Sequence, residues 1–328
     1  MDPSKAKVYL DLFTKDNLKA EYIELMKKYH PDRYKGKDAG EICAKINSLY
    51  EEAKSHAASD TWGDEANVVF VVTADGHKKR IKYLYQGMNE NGCYYVGNAI
   101  VVYSFAKKKF FDNYLNAVKR IHYADDALKD YYERFMPNVL DSFESGDGKY
   151  YIVLKKSADV YPLTLVKDIF KQKEHAAWLT TRLLNLSAFL CTTGLVHNGF
   201  SMDNVFVSLE NHGASLLGGW QYAVGEGEKM IGTNKQVFEV MPAKVKSDKM
   251  ASHDTDTLAI NNILCTLLGG RVYRDLEGIV GKPWAEFLLR KEVHPFDAVT
   301  KWEEVRDASF KEHKFVHVNI PDNPYETK

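Results

Sequence analysis

The sequence predicts two domains of different class. An all-α helical hairpin is expected over residues 1–58. After a linker at 59–66, an α+β two-lobed domain is expected, with a strand-rich lobe at 67–156 and a helical lobe at 157–328. Three patterns predict this: two successive segments with apolar residues at helical spacing, then short β-branched runs separated by Gly or Asn, then a leucine repeat at helical spacing. The chain length, 328 residues, fits about two domains.

In the first segment Leu18, Tyr22, Leu25, Met26 and Tyr29 lie on one face of a helix. Asp16 is the expected N-cap, because a carboxylate there satisfies orphan N–H groups at the positive end of the dipole. Pro31 must end the helix, since it lacks an N–H and disfavours helical geometry at His30. A second helix is expected over residues 38–56, with Ile42, Ile46, Leu49, Tyr50 and Ala53 on one face, so the two should pair antiparallel. The loop between them presents His30, Pro31 and Asp32, followed by Arg33, Lys35 and Lys37. Residues 17–37 hold six Lys/Arg against three Asp/Glu, a local excess of 6 − 3 = +3. The small polar stretch 56–60 reads as the start of the linker.

The pattern changes at about Ala66. Strands are expected at 68–72, 81–85, 93–96 and 99–105, with a turn at Asp75-Gly76, then a helix over 110–121 and a strand at 150–154. Residues 157–162 connect the lobes. Leu179, Leu183, Leu186 and Leu190 then mark a helix that Gly194 can stop.

Composition excludes several function classes. Apolar residues are 45% and charged residues 27%, the balance of a soluble globular chain. A formal net charge of −1 leaves no global basic field for nucleic acid, and Lys107, Lys108 and Lys109 fit a solvated turn. The four cysteines, Cys43, Cys93, Cys191 and Cys265, lack CxxC or metal-ligand spacing, so reduced thiols in a cytoplasmic compartment are expected. His212, His253, His294, His313 and His317 are too scattered for a metal centre. No signal peptide and no membrane-length apolar run is found. Neither nucleic acid nor membrane is an expected partner.

The stretch LKAEYIELMKKYHPDRYKG (18–36), followed by ICAKINSLYEEA (42–53), resembles the J-domain of DnaJ-type co-chaperones. Asn47 and Tyr50 fall where that family has its Asn and Tyr, and residues 8–13 would form its short first helix. The resemblance implies an Hsp70-type chaperone as partner, whose ATPase is stimulated. Lys19, Lys27, Lys28 and Arg33 would dock on an acidic patch of that partner. Asp32 would pair with a basic group near its interdomain linker, with Pro31 fixing the loop and His30 orienting it. The Gly/Phe-rich segment and zinc repeats of some DnaJ relatives are absent.

Further on, GLVHNGFSMDNVFVS (194–208) resembles the catalytic loop of protein kinases. MPNVLDSFES (136–145) and KYYIVLKK (149–156) resemble the fourth and fifth strands of that fold. ASLLGGW (214–220) sits at the Asp-Phe-Gly strand, and SHDTDTLAINNILCTLLGG (252–270) resembles the buried helix of the C-lobe, with Asp254 in its Asp position. The resemblance puts the catalytic-loop His at His197, the catalytic Asp at Gly199 and the loop Lys at Ser201. Its metal-binding Asn is kept as Asn204, while the Asp of Asp-Phe-Gly falls on Gly218. VVYSFAKK (101–108) puts the third-strand Lys at Ser104, with Lys107 or Lys108 open if the register slips. Asn116 or Lys119 takes the slot of its Glu partner. Phosphoryl transfer needs carboxylates for metal and nucleophile and a Lys–Glu pair on the phosphates, so a pseudokinase is expected.

The two resemblances in this order are similar to a group of uncharacterised bacterial J-domain proteins, which often read VHG at the His-Arg-Asp position and end in a segment like HKFVHVNIP (313–321). The expectation is a non-enzymatic co-chaperone adaptor whose pseudokinase part binds a protein client or assembly. No cofactor is required, although ATP–Mg binding in the cleft stays open. The alternatives are an atypical kinase-like transferase and a nucleotide-binding pseudokinase that regulates the J-domain.

Overall fold

A computed structural model describes residues 3–6, 9–34, 36, 38–58, 62, 67–290, 294–310, 316–320 and 323–325. The chain divides into two compact units, Met1–Val69 and Phe70–Lys328.

The first unit is built on two helices, α1 (Leu18–Tyr29) and α2 (Ala39–Ala58). Helix α2 buries Ile42, Ile46, Leu49 and Ala53, and the whole apolar stripe of α1 packs against them. Each fully buried Ile or Leu contributes about 1.5–3 kcal/mol, so this strip is the main source of the hairpin's stability. Tyr22 joins the helices twice, stacking on Tyr50 at 3.9 Å and donating to Asn47 Oδ1 at 2.9 Å.

Three expectations change here. The N-cap position is Asn17 and its side chain caps nothing; instead Glu21 reaches back and accepts from Thr14 N and Oγ1 at 2.6 and 2.9 Å. The short first helix is a 3-10 turn, Tyr9–Asp11, and Val8 lies outside the described residues. Residues 56–58 belong to α2 rather than to a linker, because His56 stacks on Tyr9 at 4.7 Å. Most of 59–66 lies outside the described residues, as do Lys35 and Lys37.

After α2 the chain forms a hairpin of β1 (Val68–Val72) and β2 (Lys78–Lys82), turning at Gly76. A five-stranded antiparallel sheet follows: β3 (Tyr85–Asn89), β4 (Gly92–Val96), β5 (Ile100–Phe105), then helices α3 (Lys108–Lys119) and α4 (Asp126–Tyr132), then β6 (Asn138–Glu144) and β7 (Tyr150–Lys155). The spatial order is β3-β4-β5-β7-β6. The run 81–85 is therefore not one strand. It breaks after Lys82, where the chain leaves β1 and starts to pair with β4. Tyr94 pairs with Tyr103 and Tyr103 with Ile152, so these three side chains share one sheet face.

The helical half contains β8 (Val160–Pro162), α5 (Lys173–Thr192), β9 (Leu195–Val196), β10 (Val205–Ser208), β11 (Gly213–Leu216), β12 (Val224–Gly225), α6 (Lys235–Val240), α7 (Ala243–Asp248), α8 (His253–Leu268), α9 (Tyr273–Val280), α10 (Lys282–Leu288) and α11 (Pro295–Ser309). Leu179, Leu183, Leu186 and Leu190 all point into the core, and α5 ends before Gly194 at φ +67°. Helix α5 packs on α8 and α11; Trp302 donates from Nε1 to Thr181 Oγ1 at 2.8 Å. Among the described residues no helix is long and apolar enough to cross a membrane.

Candidate functional site

Two places gather the residues singled out in the sequence. The first is the bend after α1. His30 takes φ −57° and ψ 137°, which stops the helix, while its N–H still bonds Met26 O at 3.0 Å. Its carbonyl accepts from Arg33 N and Tyr34 N at 2.8 and 2.9 Å, closing a tight turn. Within the turn His30 Nδ1 accepts from Asp32 N at 3.3 Å and lies 3.4 Å from Asp32 Oδ2. The carboxylate is 86% exposed, so the loop holds it out to solvent rather than satisfying it internally. Lys19, Lys27, Lys28 and Arg33 are exposed as well.

The second place is the catalytic-loop region, residues 194–208. Its backbone is fixed by Asp256 in α8, whose carboxylate accepts from His197 N at 2.7 Å and Asn198 N at 2.8 Å. This corrects the assignment of the buried Asp to Asp254: the two lie in the same first turn of α8, but only Asp256 is fully buried against the loop. His197 is completely enclosed, edge-on to Phe200 and Trp220, and burial pushes its imidazole down to about 3. It is therefore a neutral packing residue. Asn204 donates from Nδ2 to Gly199 O at 2.8 Å, an inward contact within the loop.

Ser104 is not the group that faces this loop. Its Oγ accepts from Cys93 N and donates to Cys93 O, at 2.9 and 2.8 Å, tying two strands together. Tyr103, one residue earlier, faces the cleft and is fully buried. Lys107 and Lys108 are exposed, and Lys108 pairs with Asp112. Asn116 and Lys119 are exposed too; α3 turns Tyr114 and Ala117 inward, and Tyr114 donates to Leu217 O at 2.6 Å. Tyr94, Tyr103 and Tyr114 thus form a buried row, with centroids 5.7 and 6.2 Å apart. The apolar stripe Phe110, Phe111, Tyr114, Ala117, Val118 was the sequence signal for Tyr114.

Gly199 and Gly218, which the kinase resemblance sets at two carboxylate positions, are both tightly surrounded. A Cβ at Gly218 would lie 2.6 Å from Asn204 Oδ1 and 2.7 Å from Tyr103 Oη. One at Gly199 would lie 2.8 Å from Gly219 O. The tyrosine row and a glycine-on-glycine backbone contact occupy the volume that two aspartates would need.

Helix α3 and the β3–β4 turn are also bonded to the segment after Gly218. Asn113 Nδ2 donates to Gln221 O and Ala223 O, Asn91 Nδ2 donates to Tyr222 Oη at 2.6 Å, and Arg120 makes a two-pronged ion pair with Glu228 at 3.0 Å. The cavity left between Glu90, Ser201, Asp203, Asn204 and Tyr222 holds only about 30 Å³. That is about one water's share of liquid, against the ~300 Å³ and more of ordinary ligand sites. As it stands, that cavity is too small to enclose ATP–Mg. Asp203, whose carboxyl is raised by burial and by Glu90, is the acidic side chain next to Asn204. Among the described residues no group of three or more His, Cys, Asp or Glu could hold a metal ion, and all four cysteines are free thiols.

The strand order, the long α3 between the third and fourth sheet strands, and the Asp256-anchored loop define a protein-kinase-like fold. Solved structures agree. Vaccinia related kinase 3 superposes with a TM-score of 0.54 at 14% identity, over 76% of this chain and 94% of its own. ROP2 from Toxoplasma gondii, described as a virulence factor with a protein-kinase fold and no enzymatic activity, superposes with a TM-score of 0.50 at 15% identity, over 78% of this chain and 88% of its own. At such identities the likeness shows the fold alone. No protein-family model matches the chain, and no curated protein matches it.

Proposed function

We propose that this chain is a J-domain co-chaperone: it recruits an Hsp70-type chaperone, stimulates its ATPase, and uses the kinase-like unit to hold a protein client or assembly without transferring phosphate. The observation that carries the reading is the His30-Pro31-Asp32 turn, with Asp32 held outward directly beyond a helix bearing exposed Lys19, Lys27 and Lys28. A carboxylate flanked by exposed cations suits a docking contact in which charge sets orientation and on-rate. Free, unpaired thiols agree with a reducing, cytoplasmic compartment.

The test is steady-state ATP hydrolysis by a bacterial Hsp70 with wild-type chain, His30→Gln and Asp32→Asn. Stimulation by wild type that both variants lose supports the proposal. Equal rates for all three would sink it.

A second reading, an atypical transferase, rests on Asp203 beside Asn204 at the small cavity. Label transfer from ATP that Asp203→Asn abolishes would favour it over the adaptor.

A further inference from the structure

A larger cavity, about 520 Å³, lies elsewhere in the second unit, and none of the glycine-lined loop, the β3–β4 hairpin or α3 contributes to it. One wall is α4 with the 3-10 turn that follows it; the other is the end of β7 and residues 155–157. Met136 and Leu217 make an apolar floor into which Ser215 is also set. The volume falls in the ordinary range for small-molecule sites, and an apolar floor with a few convergent polar groups is their usual make-up.

Its charges decide what it would take. Lys156 lines the cavity and is 6% exposed, yet among the described residues its Nζ has only backbone carbonyls as hydrogen-bond partners, Asn98 O at 3.0 Å and Ser157 O at 2.9 Å. Burial pushes its amine down to about 8, which leaves it mostly protonated at neutral pH. The acid that acts on it, Asp159, already accepts from Ser208 and Asn211. A buried ammonium without a carboxylate is costly unless something anionic completes it. Arg134 and Lys155 stand at the rim, and neither makes an ion pair among the described residues. The two acids of the lining, Asp130 and Glu133, are both exposed on the α4 side. Cations outnumber acids three to two, and the one buried charge is positive.

We propose that this cavity is a binding site for a small organic anion, a carboxylate or phosphate carried on an apolar body. The anionic group lies toward Lys155 and Lys156, the body rests on Met136 and Leu217, and Arg134 closes the rim.

Thermal unfolding and titration calorimetry of the full chain test it, with AMP for the phosphate arm, 4-hydroxybenzoate for the carboxylate arm, and adenosine and spermidine as neutral and cationic counterparts. At 1 mM at least one anion should raise the midpoint by about 2 °C or more. The double variant Arg134→Glu/Lys155→Glu should lose the shift, whereas Lys119→Glu, a reversal outside the cavity lining, should keep it. Adenosine and spermidine should leave the midpoint where it was. The proposal is overturned if neither anion shifts the midpoint, if the shift survives in the double variant, or if spermidine shifts it more than the anions. AMP bound at the Asn204 cavity instead would show as the surviving shift.

Discussion

Tyr103→Phe should make the protein more stable. Its hydroxyl is fully buried beside Gly218 and has no hydrogen-bond partner among the described residues. Leaving a buried donor unmet costs about 1–3 kcal/mol, and removing it returns that penalty. The ring itself keeps its neighbours, Tyr94 and Tyr114. A gain of about 1 kcal/mol would raise the midpoint by roughly 2–4 °C in a domain of this size. Tryptophan fluorescence is a suitable probe, because Trp178, Trp220, Trp284 and Trp302 lie in the second unit and only Trp62 in the first. Gly218→Ala supplies the complementary measurement: overpacking should lower stability by about 1–3 kcal/mol. Part of that loss should disappear in the Tyr103→Phe background, since Oη is one of the two atoms met at under 3 Å. A fall of 2 °C or more for Tyr103→Phe alone would refute the reasoning, because it would mean that the hydroxyl has a partner and the cleft is not closed on itself.

Asp256→Ala should destabilise by several kcal/mol, about 1–3 for each buried N–H it abandons, while Asp254→Ala should be far milder; urea unfolding separates them. His197 gives a pH prediction. Its folded value, about 3, lies below the ordinary 6.5, so the unfolded chain takes up its proton first as pH falls. Its contribution is complete above about pH 6.5 and drains toward pH 3, by up to about 1.4 kcal/mol per unit. Asp256, pushed up to about 7 by burial, slopes the opposite way, so the readout is the difference between wild-type and His197→Gln stability curves. If the two curves run parallel from pH 6.5 to 4, His197 is not buried neutral. Arg120→Ala should change stability by no more than about 1 kcal/mol, because that ion pair is half exposed; a larger loss in a urea titration would mean it does more than fasten a surface.

Where periodicity and burial coincide, the sequence was sufficient. The faces of α1 and α2, the strand β7 and the leucine face of α5 follow from the spacing of apolar residues, and β6 from the kinase resemblance. The positions of His197 and Asn204 follow from a motif whose spacing survived. What failed was register. In VVYSF every residue suits a buried strand, so nothing local says that Tyr103 rather than Ser104 turns inward; only pairing with Tyr94 and Ile152 does. Asp254 and Asp256 share one helical turn and one chemistry, and burial alone tells them apart. On α3 the positions expected for the Glu partner, Asn116 and Lys119, are exposed, whereas the apolar stripe points at Tyr114. The α4 insertion that walls the large cavity had no sequence signal beyond Asp125, which caps it by accepting from Leu128 N at 2.8 Å.

The contact of Gly199 with Gly219 has a consequence for how this loop can vary. A side chain at 199 meets the backbone at Gly219 O, and one at 218 meets the side chains of Tyr103 and Asn204. Any side chain placed at either glycine therefore needs its neighbours to move with it, so substitutions there are coupled to those at Gly219, Tyr103 and Asn204.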